Sequence, residues 1–181
     1  YEEATGRVRT ATLHPKLDYN DHATPSLYLR RDGRLTAFYS AHVGPAMYYR
    51  TTVNPAPDIT AWGPERTVNT NSPGGHGFTY SNPLYSPREN RMYLFWRGGS
   101  YLPTYSTSPT EGDAGWAPAR TLINDNDPQM MRPYAKYASR DGAIHVAYTQ
   151  AHPRDRATSI FYLKYVPGRG WTRAGGALAG G

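Results

Sequence analysis

An all-β fold built from four-stranded antiparallel blades of a β-propeller is what this sequence predicts, on three observations. The first is composition: 18 Gly, 16 Pro and 16 Tyr in 181 residues. Gly and Pro break helices, while Tyr, Thr and Val suit half-buried pleated strands. The second is a repeat. Trp62, Trp116 and Trp171 stand 54 and 55 residues apart in similar surroundings, Trp62-Gly-Pro-Glu-Arg66-Thr67, Trp116-Ala-Pro-Ala-Arg120-Thr121 and Trp171-Thr-Arg173. The third is that the same strand and turn signals recur in the same order within each period, as repeat architectures require.

Each period opens with a Pro-led strand, at Pro25-Ser-Leu-Tyr-Leu29, Pro83-Leu-Tyr85 and Pro133-Tyr-Ala-Lys-Tyr137. A polar turn follows, Arg31-Asp-Gly-Arg34, Arg88-Glu-Asn-Arg91 or Arg140-Asp-Gly142, and Asp-Gly between strand signals is a strong hairpin cue. An apolar strand comes next, Leu35 to Tyr39, Met92 to Trp96 and Ile144 to Tyr148. The third strand is expected at Met47 to Arg50, Thr104 to Thr107 and Ser159 to Tyr165, and the Trp segment supplies the fourth. An earlier partial copy, Arg9-Thr10, is expected to be the last strand of a preceding blade. The units are therefore 1–20, 21–70, 71–125 and 126–173, with a small-residue tail at 174–181. About three blades plus one strand make a partial segment of a larger ring, because closed propellers have four to eight blades.

The composition also excludes classes. An aromatic share of 13% supplies core material and argues against disorder. No window approaches 18 consecutive apolar residues, so no membrane partner is expected. The chain starts at Tyr1-Glu2-Glu3 without Met or an apolar leader and reads as a mature product or a fragment. With no cysteine, thiol chemistry and thiolate metal sites are excluded. The net charge of +6 rests on 17 Arg against 3 Lys. Guanidinium is a planar fork suited to carboxylate, sulfate or phosphate, so an anionic ligand is one explanation and Arg-rich codon usage the other. Nucleic acid is not an expected partner, since no recognition module is present and Gly74-Gly75 and Gly98-Gly99 lack a phosphate loop's strand-to-helix context.

Hairpin register brings particular side chains together. A turn centred near Asp32 pairs His22 with His42; one between Arg88 and Glu89 pairs Tyr80 with Arg97; one between Arg140 and Asp141 pairs Arg132 with Thr149. His22 and Tyr80 each stand three residues before the strand-opening Pro, so neighbouring blades present them equivalently. Imidazole moves a proton near neutrality, phenol donates one, and guanidinium neutralises an anion. No paired carboxylates stand at these positions, which disfavours two-carboxylate glycoside hydrolysis. Against this, His14 and His152 each precede Pro and read as loop residues, His145 as packing or bonding between blades, and the Trp series as structural.

The stretches Asp21-His22-Ala-Thr-Pro-Ser, Arg31-Asp-Gly-Arg with a strand ending at His42, Tyr80-Ser-Asn-Pro83, Met92-Tyr-Leu-Phe-Trp-Arg97-Gly and Arg132-Pro-Tyr134-Ala-Lys-Tyr137 resemble the BNR-repeat (BNR-4-like) β-propellers, and within them the ulvan-lyase-type polysaccharide lyases. That resemblance implies β-elimination on a uronate-containing, ulvan-like polysaccharide by a secreted or periplasmic enzyme. Arg97 would neutralise the uronate, and His22, His42 and Tyr80 would share the roles of base and acid. Arg132, Tyr134, Lys136, His76 and Asn82 would bind substrate, with Lys136 meeting a sulfate. The chemistry requires no cofactor; a structural metal is left open. The alternatives are a sialidase-like glycoside hydrolase and a non-catalytic glycan-binding propeller. The resemblance also implies a seven-bladed ring, and the expected partners are the anionic polysaccharide and the remaining blades of that ring.

Overall fold

A computed structural model of the chain describes residues 3–75, 77–124 and 132–175. Among these residues twelve strands form three four-stranded antiparallel sheets, and there is no α-helix. The first sheet has strands β1 (Ser26–Leu29), β2 (Leu35–Tyr39), β3 (Tyr48–Thr51) and β4 (Arg66–Thr67). The second has β5 (Thr79–Ser86), β6 (Arg91–Arg97), β7 (Pro103–Ser108) and β8 (Arg120–Thr121). The third has β9 (Ala135–Arg140), β10 (Ala143–Thr149), β11 (Ile160–Val166) and β12 (Gly170–Arg173). In each sheet the strands pair in chain order, which is the up-and-down meander of a propeller blade. The fold is a partial β-propeller.

The blades hold together through alternation. Residues i and i+2 of a strand face one neighbour, so each central strand feeds two interfaces. On β6, Leu94 and Trp96 join Phe38, Met47 and Phe78 in the core between blades one and two. Tyr93 and Phe95 point the other way and join Ile144, Val146 and Leu163 between blades two and three. The repeated tryptophans are structural, as expected: Trp116 stands edge-on to Phe38, and Trp171 edge-on to Phe95.

Two expectations need correction. Among the described residues the first sheet strand begins at Ser26. In the third blade Arg140 pairs with Ala143, so the turn centre lies between Asp141 and Gly142 and not between Arg140 and Asp141. Asp141 and Gly142 together form the turn, both at positive φ (54° and 73°), which is the two-residue hairpin geometry. Tyr134 therefore sits opposite Thr149, with paired bonds Thr149 N to Tyr134 O at 2.9 Å and Tyr134 N to Thr149 Oγ1 at 3.2 Å, and Arg132 does not. Finally, His145 bonds Tyr162 on the adjacent strand of its own blade (2.6 Å) rather than bridging blades.

Candidate active site

The three hairpins end, away from their turns, in one polar cluster. The His22 and His42 rings stack at 4.2 Å, as the register through Asp32 predicts, although both residues lie beyond the ends of β1 and β2. Tyr80 is placed differently from expectation. Thr79 pairs with Arg97 and Asn82 with Phe95, so Tyr80 and Ser81 form a bulge and Tyr80 is not directly opposite Arg97. Its φ of 59° is the backbone cost of that bulge, which re-aims the side chain. The Asn82 amide donates to the Tyr80 carbonyl (2.6 Å), and the Ser81 hydroxyl donates to Phe38 O (3.0 Å). The result is a phenol ring 5.4 Å from His22 and 4.9 Å from the Arg97 guanidinium carbon.

Arg97 is the centre. Its residue is 8% exposed, and among the described residues no carboxylate lies within ion-pair distance of it. Nη2 donates to His42 Nε2 at 2.9 Å and Nη1 to the Tyr134 hydroxyl at 3.3 Å. The Tyr80, Tyr101 and Tyr134 rings surround it at 4.9, 5.4 and 5.7 Å. Guanidinium has only donors, so Nε2 of His42 accepts and the ring is neutral. Burial, then the neighbouring His22 and Arg97, hold His42 below the ordinary imidazole range. His22 is held from its other side: Nδ1 lies 2.6 Å from Asp21 Oδ1 and also meets the Asn20 side-chain oxygen. Two acceptors at Nδ1 place its proton there and leave Nε2 as the open lone pair. Burial, then Tyr134, raise the Tyr80 phenol despite the opposing Arg97 charge, so it keeps its proton.

A groove of about 480 Å³ continues from this cluster along the innermost strands, lined by Tyr80, Arg97, Tyr134, Asn82, Lys136 and Tyr148. Lys136 is exposed there, opposite Ala147. Arg132 is half-buried and reaches the cluster through Tyr101, whose ring is 4.2 Å from its guanidinium carbon. His76 lies outside the described residues. Among those residues, no group of three or more His, Cys, Asp or Glu is placed to hold a metal ion. Among the described residues no helix is long and apolar enough to cross a membrane.

Two members escaped the sequence reading. His152 stands edge-on to Tyr134 at 4.8 Å. It follows the end of β10 by three residues, as His42 follows β2, and that equivalence was the available signal. Tyr101 has no such signal, because its place depends on a turn that only the second blade contains.

The fold and the rim cluster together define a β-propeller whose blades converge basic and aromatic side chains at one end. The chain belongs to the BNR repeat-containing family, whose profile matches residues 3–180. Among solved structures it is similar to the catalytic domain of a Coprinopsis cinerea GH62 alpha-L-arabinofuranosidase. There the TM-score is 0.57 at 18% identity over 82% of this chain and 48% of that one. It is also similar to a thermostable family-43 glycoside hydrolase, with TM-score 0.56 at 12% identity over 78% of this chain and 47% of that one. At such identities the likeness concerns the fold. The chain spans about half the length of both structures. No curated protein matches it in sequence.

Proposed function

We propose that the chain carries the site of a glycan-active enzyme that cleaves a uronate-bearing, ulvan-like polysaccharide by β-elimination. The observation that supports this best is Arg97: a buried guanidinium with no carboxylate partner among the described residues, beside a neutral imidazole and a protonated phenol. A buried cation without a counter-ion is costly, and an incoming carboxylate relieves that cost. In the proposed reaction the uronate carboxylate meets Arg97, which stabilises the negative charge that develops when the adjacent carbon loses its proton. His22 Nε2 takes that proton, with Asp21 and Asn20 orienting the ring through Nδ1. The C–H electrons form the new double bond, the glycosidic C–O bond breaks, and Tyr80 protonates the departing oxygen. Lys136 and Arg132 would meet further acid groups of the polymer. The same proposal includes secretion and further blades that complete the ring.

Hydrolysis is the second reading, and the comparisons favour it: both solved structures are named as glycoside hydrolases. It would draw on Asp18 and Asp21, which flank the imidazole pair; Asp18 accepts the His42 backbone N–H at 3.2 Å. The chain in its full-length context, incubated with ulvan and other uronate polymers, separates the cases. Absorbance from an unsaturated uronate supports elimination. Reducing ends without that absorbance support hydrolysis and overturn elimination, and retention of polymer without cleavage supports binding alone.

A further inference from the structure

Outside the residues already assigned, the most unusual backbone lies directly after β6. Gly98 and Gly99 are buried, and a Cβ on Gly99 would stand 2.3 Å from Pro73 O and 2.5 Å from the Gly74 carbonyl carbon. One on Gly98 would stand 2.4 Å from Thr104 Oγ1. Both positions therefore demand glycine, and the turn is clamped against residues 72–74, where Ser72 Oγ accepts the Gly99 N–H at 3.0 Å. The next two residues, Ser100 and Tyr101, both sit at positive φ, 54° and 60°. Consecutive non-glycine residues in that region are unfavourable and persist only where surrounding structure imposes them.

The strained turn delivers the Tyr101 ring to a place where it serves no core. It belongs to neither hydrophobic cluster, and among the described residues it stacks on no other ring and its hydroxyl makes no hydrogen bond. What it does touch is two guanidiniums, Arg132 at 4.2 Å and Arg97 at 5.4 Å. The quadrupole of the one ring attracts both guanidiniums.

We infer that Tyr101 is a positioning residue: its ring aims the Arg97 guanidinium, and with it Arg132, as one anion clamp. This rests on the proposed action on an acidic glycan and adds to it the element that orients the neutralising group. Because the attraction is to the ring face, a phenyl ring suffices and an aliphatic side chain of similar bulk does not.

The test compares Tyr101→Leu and Tyr101→Phe with wild type on a uronate polymer, following kcat, KM, pH profile and melting temperature. The expected result for Tyr101→Leu is a fall of about tenfold in kcat/KM, within the range of a desolvated cation–π contact. Melting temperature and the shape of the pH profile stay those of wild type, and Tyr101→Phe stays within about twofold. An unchanged Tyr101→Leu, a Tyr101→Phe as impaired as Tyr101→Leu, or a loss of activity that merely tracks a loss of stability each overturns the inference. If wild type cleaves no uronate polymer, the proposed function fails, and calorimetric binding of glucuronate oligosaccharide decides separately. Weaker binding by Tyr101→Leu than by Tyr101→Phe upholds the clamp; equal binding, or none by wild type, overturns it.

Discussion

The two ends of the blades use arginine in opposite ways. At the turn end, Arg30 is as buried as Arg97, yet its guanidinium is fully engaged: Nη1 and Nη2 donate to the two Asp113 carboxylate oxygens at 3.0 and 2.7 Å. Glu111 completes that cluster, accepting from the Tyr28 hydroxyl at 2.5 Å and the Arg31 amide at 3.2 Å. The same device recurs between blades two and three, where Glu89 accepts from Tyr93 and Tyr165 at 2.8 and 2.6 Å. These carboxylates tie one blade to the next. At the opposite end Arg97 finds, among the described residues, only an imidazole and tyrosines. A satisfied charge holds the fold; on the proposed function the unsatisfied one meets the uronate.

The largest expected effect therefore falls on activity at one end and on stability at the other. Arg97→Ala should lower kcat/KM about 10³-fold, the scale of a lost preorganised charge contact. It should leave the melting temperature unchanged or raised, because it deletes an uncompensated buried cation. Asp113→Ala should do the reverse: about 3 kcal/mol of stability lost in chemical denaturation, since the buried Arg30 loses its two short hydrogen bonds and keeps the longer contacts to Asp32 (3.4 Å) and Glu111 (4.0 Å), with kcat/KM unaltered. Loss of stability in Arg97→Ala, or none in Asp113→Ala, would break the contrast.

The contrast was only half legible in the sequence. The period, the turn residues and the central strands are local signals, and they place the His22 and His42 pair and the Arg97 rim correctly, because antiparallel register converts index distance into spatial distance. Where the backbone departs from regular geometry, that conversion fails. The bulge at Tyr80-Ser81 and the Asp141-Gly142 turn each shift register, which moved Tyr134 into the place given to Arg132. Tyr101 and His152 come from loops, where contact depends on tertiary clamps rather than periodicity. The pairing of Arg30 with Asp113, more than 80 residues apart, left no local trace.

Acidification should separate the ends as well. His42 is held below its ordinary range, so as pH falls below about 6.5 the unfolded chain binds a proton before the folded one does. Stability is then lost with falling pH across that window and is fully present above it. At the turn end burial alone would raise Glu111, but the Tyr28 hydroxyl, the Arg31 amide and the Arg30 and Arg31 charges outweigh it and hold its pKa low. Its contribution is present above the ordinary carboxylate value of about 4.3 and is lost as pH falls through the folded value. Melting temperature against pH should show two declines, and His42→Asn should abolish the upper one alone. A His42→Asn profile identical to wild type would remove His42 from the site's proton balance.

The smallest effect tests whether burial, rather than pairing as such, makes the turn end structural. Arg34 and Asp32 form a contact at 2.7 Å as short as that of Arg30 with Asp113, and Arg34 holds Asp32 down at about 2. The Asp32 and Asp113 side chains are about equally exposed, at 41% and 40%, but Arg34 is 38% exposed against 6% for Arg30. Water screens such a pair and already solvates each charge when its partner is gone. Arg34→Ala should therefore cost less than about 1 kcal/mol in chemical denaturation, well below Asp113→Ala. Equal losses from the two variants would mean that the Asp32 turn, not the buried guanidinium, carries the stability of this end.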